Sequence, residues 1–91
     1  MDTHEAYIVT FTEAALKSLR RYPQNDQRRI LDRIDVLAKN PQGMTNVKRL
    51  IEAQATYRLR VGDYRVLFER DDIIRVIDVL NILPRGRAYR R

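Results

Sequence analysis

Residues 57–70 read Tyr57-Arg58-Leu59-Arg60-Val61-Gly62-Asp63-Tyr64-Arg65-Val66-Leu67-Phe68-Glu69-Arg70, two alternating runs about a single Gly-Asp pair. A two-residue turn at Gly62-Asp63 predicts a hairpin in which Val61 pairs with Tyr64, Leu59 with Val66 and Tyr57 with Phe68. Side chains alternate across a strand, so these six apolar or aromatic residues share one face and are candidate core. The opposite face carries Arg58, Arg60 and Arg65, with Arg60 directly across the ladder from Arg65. Like charges in that position destabilise a sheet, and a bound anion would relieve the repulsion. Arginines that lay their stems on apolar neighbours and keep their heads in water would be accommodated as well.

Beyond the hairpin, Pro84-Arg85-Gly86-Arg87-Ala88-Tyr89-Arg90-Arg91 adds four guanidinium groups and a phenol. The chain has 18 Lys+Arg against 12 Asp+Glu, a net charge of +6, which favours a polyanionic partner such as nucleic acid or an acidic protein. At 91 residues there is apolar surface for one core. Residues 1–91 are therefore read as a single domain, with fraying ends at 1–5 and 90–91. No run approaches the roughly 18 consecutive apolar residues of a spanning helix, and the N-terminus lacks a basic-then-apolar leader. A soluble, cytoplasmic protein without a membrane partner is expected. The absence of cysteine excludes disulfides, thiolate nucleophiles and cysteine-bound zinc, and the single histidine, His4, lies in the polar leader. No metal or cofactor is expected.

Residues 7–11, Tyr-Ile-Val-Thr-Phe, are β-branched and aromatic and read as a first strand with Tyr7, Val9 and Phe11 on one face. Thr12 is an N-cap ahead of a short helix in which Ala15, Leu16, Leu19 and Tyr22 recur at helical spacing until Pro23. A second helix begins at Gln24 or Asn25, with Ile30, Leu31, Ile34, Leu37 and Ala38 as its apolar stripe, and closes at Asn40-Pro41. Residues 42–55 read as a surface connection holding Lys48 and Arg49, with a helical turn near 47–51. Asp71-Asp72 supplies a second turn. Ile73 to Leu83 is then a strand apolar on both faces, as in a central strand covered on both sides.

This arrangement resembles the RelE/ParE superfamily of toxins from bacterial and archaeal toxin–antitoxin systems. The resemblance runs from Tyr7 onward. It rests on the entry into the first helix at Phe11 to Leu19, on Lys48 and Leu50, on the run from Tyr57 to Val66, and on the ending Arg85-Gly86-Arg87-Ala88-Tyr89-Arg90. It implies a small α+β fold, β-α-α-β-β-β, in which an antiparallel helical hairpin packs on a twisted, mostly antiparallel four-stranded sheet. It also implies one of two activities. RelE-like members cut messenger RNA in the ribosomal A site, and ParE-like members poison DNA gyrase.

RelE-like nucleases use basic residues on the strand matching 57–61, an arginine on the next strand, and an arginine and a tyrosine near the C-terminus. The resemblance thereby implies catalytic roles for Arg60, Arg65, Arg85 and Tyr89. Lys48, Arg49, Arg58, Arg87 and Arg90 stand around them as candidate RNA or phosphate contacts. Such enzymes direct a ribose 2′-hydroxyl at the adjacent phosphate, a reaction that builds up anionic charge which guanidinium groups stabilise. Arg65 and Arg85 suit a phosphate clamp, and Tyr89 suits stacking on an unpaired base or orienting the 2′-hydroxyl. Two departures bear on proton transfer. Several relatives carry lysines where this chain has Arg58 and Arg60, and many carry a histidine where it has Pro84. Catalysis is then expected to be mainly electrostatic with the ribosome arranging the RNA, with Glu69 or Tyr89 as alternative proton carriers. A gyrase-directed toxin and a degenerate antitoxin-binding module remain alternatives. The resemblance further implies a cognate antitoxin, the ribosome and mRNA as partners, and a free toxin that is a monomer.

Overall fold

The computed structural model describes residues 5–50 and 56–84. In chain order these form β1 (Ile8–Phe11), α1 (Glu13–Arg20), α2 (Gln24–Lys39), β2 (Val47–Leu50), β3 (Thr56–Val61), β4 (Tyr64–Asp71) and β5 (Val76–Pro84). The strands make one sheet in the order β1-β5-β4-β3-β2. β1 runs parallel to β5 and every other pair is antiparallel.

The β3–β4 hairpin has the predicted register, pairing Val61 with Tyr64, Leu59 with Val66, Arg60 with Arg65 and Tyr57 with Phe68. Gly62 takes φ 57°, the left-handed conformation that glycine adopts without steric cost. The guanidinium of Arg29 lies over this turn, so that a Cβ at Gly62 would stand 3.2 Å from Arg29 Nη1. Both helices cover one face of the sheet. There Leu59, Val66, Phe68, Ile77, Val79 and Ile82 are buried with Ala15, Leu19, Ile30, Ile34, Leu37 and Ala38. Full burial of each large aliphatic or aromatic side chain stabilises the fold by roughly 1.5–3 kcal/mol relative to exposure. Thr12 caps α1 as expected, its hydroxyl accepting from Ala15 N at 3.1 Å.

The structure corrects three expectations. Residues 47–50 form an edge strand rather than a helical turn, with Val47 paired to Leu59 and Lys48 to Arg58, so the sheet has five strands and not four. Four residues carry too short a pattern to separate strand from helical turn, and it is β3 that offers them an edge to pair with. The last strand begins at Val76 rather than Ile73. Asp71 Oδ1 accepts from the amides of Ile73 and Ile74 at 2.9 and 3.1 Å, and Arg75 adopts φ 60°, which holds 73–75 in the turn. Finally, β5 is an interior strand but is not buried on both sides. Its helix-facing residues are buried, while Val76, Leu80 and Leu83 are only half-buried.

A register shift at Leu67/Phe68 leaves Leu80 as an extra residue on β5, so the buried positions step from Ile77 and Val79 to Ile82. β5 also outruns β1, whose pairing ends at Phe11 with Val79. Side chains in and around α1 satisfy the exposed edge. Thr12 donates to Leu80 O at 2.7 Å, Tyr22 donates to Ile82 O at 2.6 Å, and Ser18 donates to Asn81 Oδ1 at 2.8 Å.

Candidate nucleic-acid interface

The sheet face turned away from the helices gathers the cations. Pleating puts Arg58, Arg60 and Arg65 on it, and the unforeseen β2 adds Lys48 directly opposite Arg58. Four cationic side chains thus occupy three adjacent strands in two cross-strand pairs, Lys48–Arg58 and Arg60–Arg65. Arg49 pairs with Tyr57 and so lies on the other side of the pleat, apart from this group. Arg58 and Arg65 are half-buried, and Arg60 and Lys48 are exposed. Among the described residues no side-chain hydrogen bond or ion pair engages Arg58, Arg60 or Lys48.

Arg85, Arg87, Tyr89 and Arg90 lie outside the described residues. The described chain ends at Pro84, whose register partner is Tyr64, the neighbour of Arg65. Glu69 shares the open face but lies four residues along β4 from Arg65, about 13 Å at strand spacing, and faces Asp78 instead.

A depression of about 210 Å³ flanks the cations, lined by Thr45, Asn46, Val47, Lys48, Arg58 and Arg60. Its wall is fixed by a reciprocal clip. Arg60 N donates to Asn46 O at 3.0 Å, and Asn46 Nδ2 donates to Arg60 O at 2.9 Å. Sequence reading passed over Thr45 and Asn46, since polar loop residues carry no pattern until the pairing of β2 is known.

On the covered side, tyrosines fix the backbone that carries the arginines. Tyr64, beside Arg65, donates to Asp26 Oδ2 at 2.6 Å and packs on Tyr22 with ring centroids 4.6 Å apart. The bond to Asp26, reinforced by burial, pushes the Tyr64 phenol up to about 12. Tyr22, itself raised by burial, holds β5 at Ile82 O. The start of β4 and the end of β5 are therefore pinned by one aromatic pair. The cluster can bind a phosphate or a run of phosphates, and its planar guanidinium forks can each hold two phosphate oxygens.

Residues 9–89 match the family model described as ParE toxin of type II toxin–antitoxin system, parDE. Among solved structures the chain is similar to the archaeal RelE–RelB complex from Pyrococcus horikoshii, at 33% identity over 91% of this chain and 99% of that one, with a TM-score of 0.78. It is also similar to the toxin–antitoxin complex RelBE2 from Mycobacterium tuberculosis, at 26% identity over 89% and 100% of the two chains and a TM-score of 0.78. The intact Escherichia coli RelBE toxin–antitoxin complex shares the fold, at 21% identity over 87% and 96% with a TM-score of 0.74. No curated protein gives a significant sequence match.

Proposed function

Since this chain belongs to the ParE toxin family, within the RelE/ParE superfamily of type II toxin–antitoxin toxins, we propose that it is a ribosome-dependent endoribonuclease that cuts messenger RNA in the A site. The observation that carries this reading is the two cross-strand pairs of cations in register on the open sheet face, Lys48 opposite Arg58 and Arg60 opposite Arg65. In the proposed reaction the ribose 2′-oxygen loses its proton and bonds to the neighbouring phosphorus. The bond from phosphorus to the 5′-oxygen of the next nucleotide then breaks, and that oxygen takes up a proton. Arg60 and Arg65 stabilise the charge that gathers on the equatorial oxygens, with Arg85 as the second arm of the clamp. Tyr89 stacks on the base or orients the 2′-hydroxyl, and Lys48, Arg58, Arg87 and Arg90 draw in the flanking phosphates, whereas Arg49, on the other side of the pleat, takes no part. A guanidinium does not give up its proton in a protein, so the arginines act by charge and the ribosome aligns the RNA.

By analogy with the toxin–antitoxin complexes among its relatives, the partner in the cell is a cognate antitoxin. An acidic segment in that protein would complement the arginine face. A second reading, a gyrase-directed toxin, is favoured by the all-cationic make-up of the cluster, which suits holding a polyanion more than acid–base chemistry.

A purified ribosome-based translation reaction with primer extension on the message tests the proposal. Cuts at A-site codons that disappear in Arg65→Ala and Arg85→Ala and weaken in Tyr89→Ala support it. Intact message with undiminished translation overturns it, and inhibition of gyrase supercoiling would then establish the second reading.

A further inference from the structure

The open face offers two places for a nucleic-acid chain rather than one. Arg60 and Arg65 form the first, on β3 and β4. The second is the depression on the far side of Arg60, reaching β2 at Lys48. From β4 to β2 is two strand spacings, about 10 Å between backbones. A single-stranded chain crossing the strands at Arg60 would set one nucleotide at the arginine pair and its neighbour over the depression.

What lines the depression differs from the arginine pair. Besides Lys48, Arg58 and Arg60 it has the hydroxyl of Thr45, which donates and accepts, and the amide of Asn46. Only one amide N–H is spent on Arg60 O in the clip, and the clip itself holds the loop rigidly against β3. A site for a bare phosphate needs cations alone. Hydrogen-bonding groups of both senses beside guanidinium planes suit an unpaired base, read along its edge and stacked on arginine.

We propose that the depression between β2, β3 and the preceding loop is a nucleotide subsite that takes the unpaired base adjoining the phosphate held at Arg60 and Arg65, with Thr45 and Asn46 on the base edge. This rests on the RNA-directed reading given above and adds to it a place where sequence preference arises. Arg60 belongs to both positions, which couples the neighbouring base to the phosphate.

The test is binding of short single-stranded RNA by fluorescence anisotropy, with one abasic nucleotide moved along the oligonucleotide. One abasic position should weaken binding by wild type about 5-fold or more, the scale of a lost base contact. Thr45→Val should reduce that penalty, Thr45→Ser should restore it, and the salt dependence set by the phosphate contacts should stay the same in all three. Thr45 is exposed, so these variants fold. Equal tolerance of base loss at every position, or a penalty unchanged in Thr45→Val, overturns the subsite. If wild type still cuts ribosome-bound message with codon preference unaltered in Thr45→Val, the subsite falls and the nuclease stands. A wild type that binds no single-stranded RNA overturns the subsite, and a wild type that leaves ribosome-bound message intact overturns the nuclease reading.

Discussion

At the β4–β5 end of the sheet, arginines are part of the fold. Arg70 donates to both oxygens of Asp72, at 2.9 and 3.2 Å, and lies 4.7 Å over the Tyr57 ring. Arg75 stands 4.6 Å over the Tyr7 ring and donates to Glu5 O. At the β3–β4 end, Arg58 and Arg60 have no such ties among the described residues, and Arg60 is set against another arginine. The same side chain is used in one region to close a turn and in the other to hold charge in readiness. Cations with partners in the fold have little left to offer a ligand, so it is the unpaired Arg58 and Arg60 of β3, more than the abundance of arginine, that mark the candidate site among the described residues. Acidic residues repeat the contrast. Glu69 faces Asp78 across β4–β5, yet Asp78 receives the Thr10 hydroxyl at 2.8 Å.

The contrast is broken most sharply by removing one arginine from each end. Arg60→Ala should lower A-site cutting by about 100-fold or more, the usual loss when one donor to a transition-state oxyanion is deleted, and leave the melting temperature within a few degrees, because its exposed side chain has no tie among the described residues. Arg70→Ala should do the reverse, keeping specific activity while losing roughly 1–3 kcal/mol of stability, measured by denaturant titration, because Asp72 loses its charged partner. If Arg70→Ala abolished cutting in a folded protein, the division between structural and functional arginines would fail. A smaller effect separates phosphate contacts within the site. Lys48→Ala or Arg58→Ala should each reduce the slope of log affinity for single-stranded RNA against log salt by about one, and Arg49→Ala, on the other side of the pleat, should leave it unchanged.

Much of this division was legible in the chain, for a physical reason. Two-residue periodicity about one Gly-Asp turn allows a single register, since a one-residue slip would bury Arg58, Arg60 and Arg65. The Arg60–Arg65 pair therefore followed directly. β2 was not legible, because Val47-Lys48-Arg49-Leu50 is too short to show a period and gains its strand character from the edge of β3. With it went the placing of Lys48 beside Arg58, the separation of Arg49, and the depression at Thr45 and Asn46. The start of β5 was misplaced because Ile73 and Ile74 are apolar yet 91% and 65% exposed, in a turn built by the Asp71 carboxylate. Hydrophobic periodicity reads burial, and these two isoleucines are not buried.

The finest test compares the tyrosine–aspartate bond at each end by pH. Asp26 accepts from Tyr64 and raises its phenol from 10.0 to about 12, so the folded state holds that proton more tightly than the unfolded chain does. The associated stability is complete below pH 10 and drains away as pH climbs towards 12. At the other end, burial pushes the Asp72 carboxyl up, but the hydrogen bonds from Tyr7 and Arg70 outweigh it and hold it below its ordinary 3.8. That contribution is complete above pH 3.8 and is lost on acidification below it. Thermal melts should therefore show Tyr64→Phe destabilised by about 1 kcal/mol at neutral pH, with its deficit against wild type closing in alkali. Asp72→Asn should show a deficit that closes in acid instead. Were both variants to converge on wild type at the same extreme of pH, the two ends would share one electrostatic network, and the turn arginines could not be separated from the candidate site.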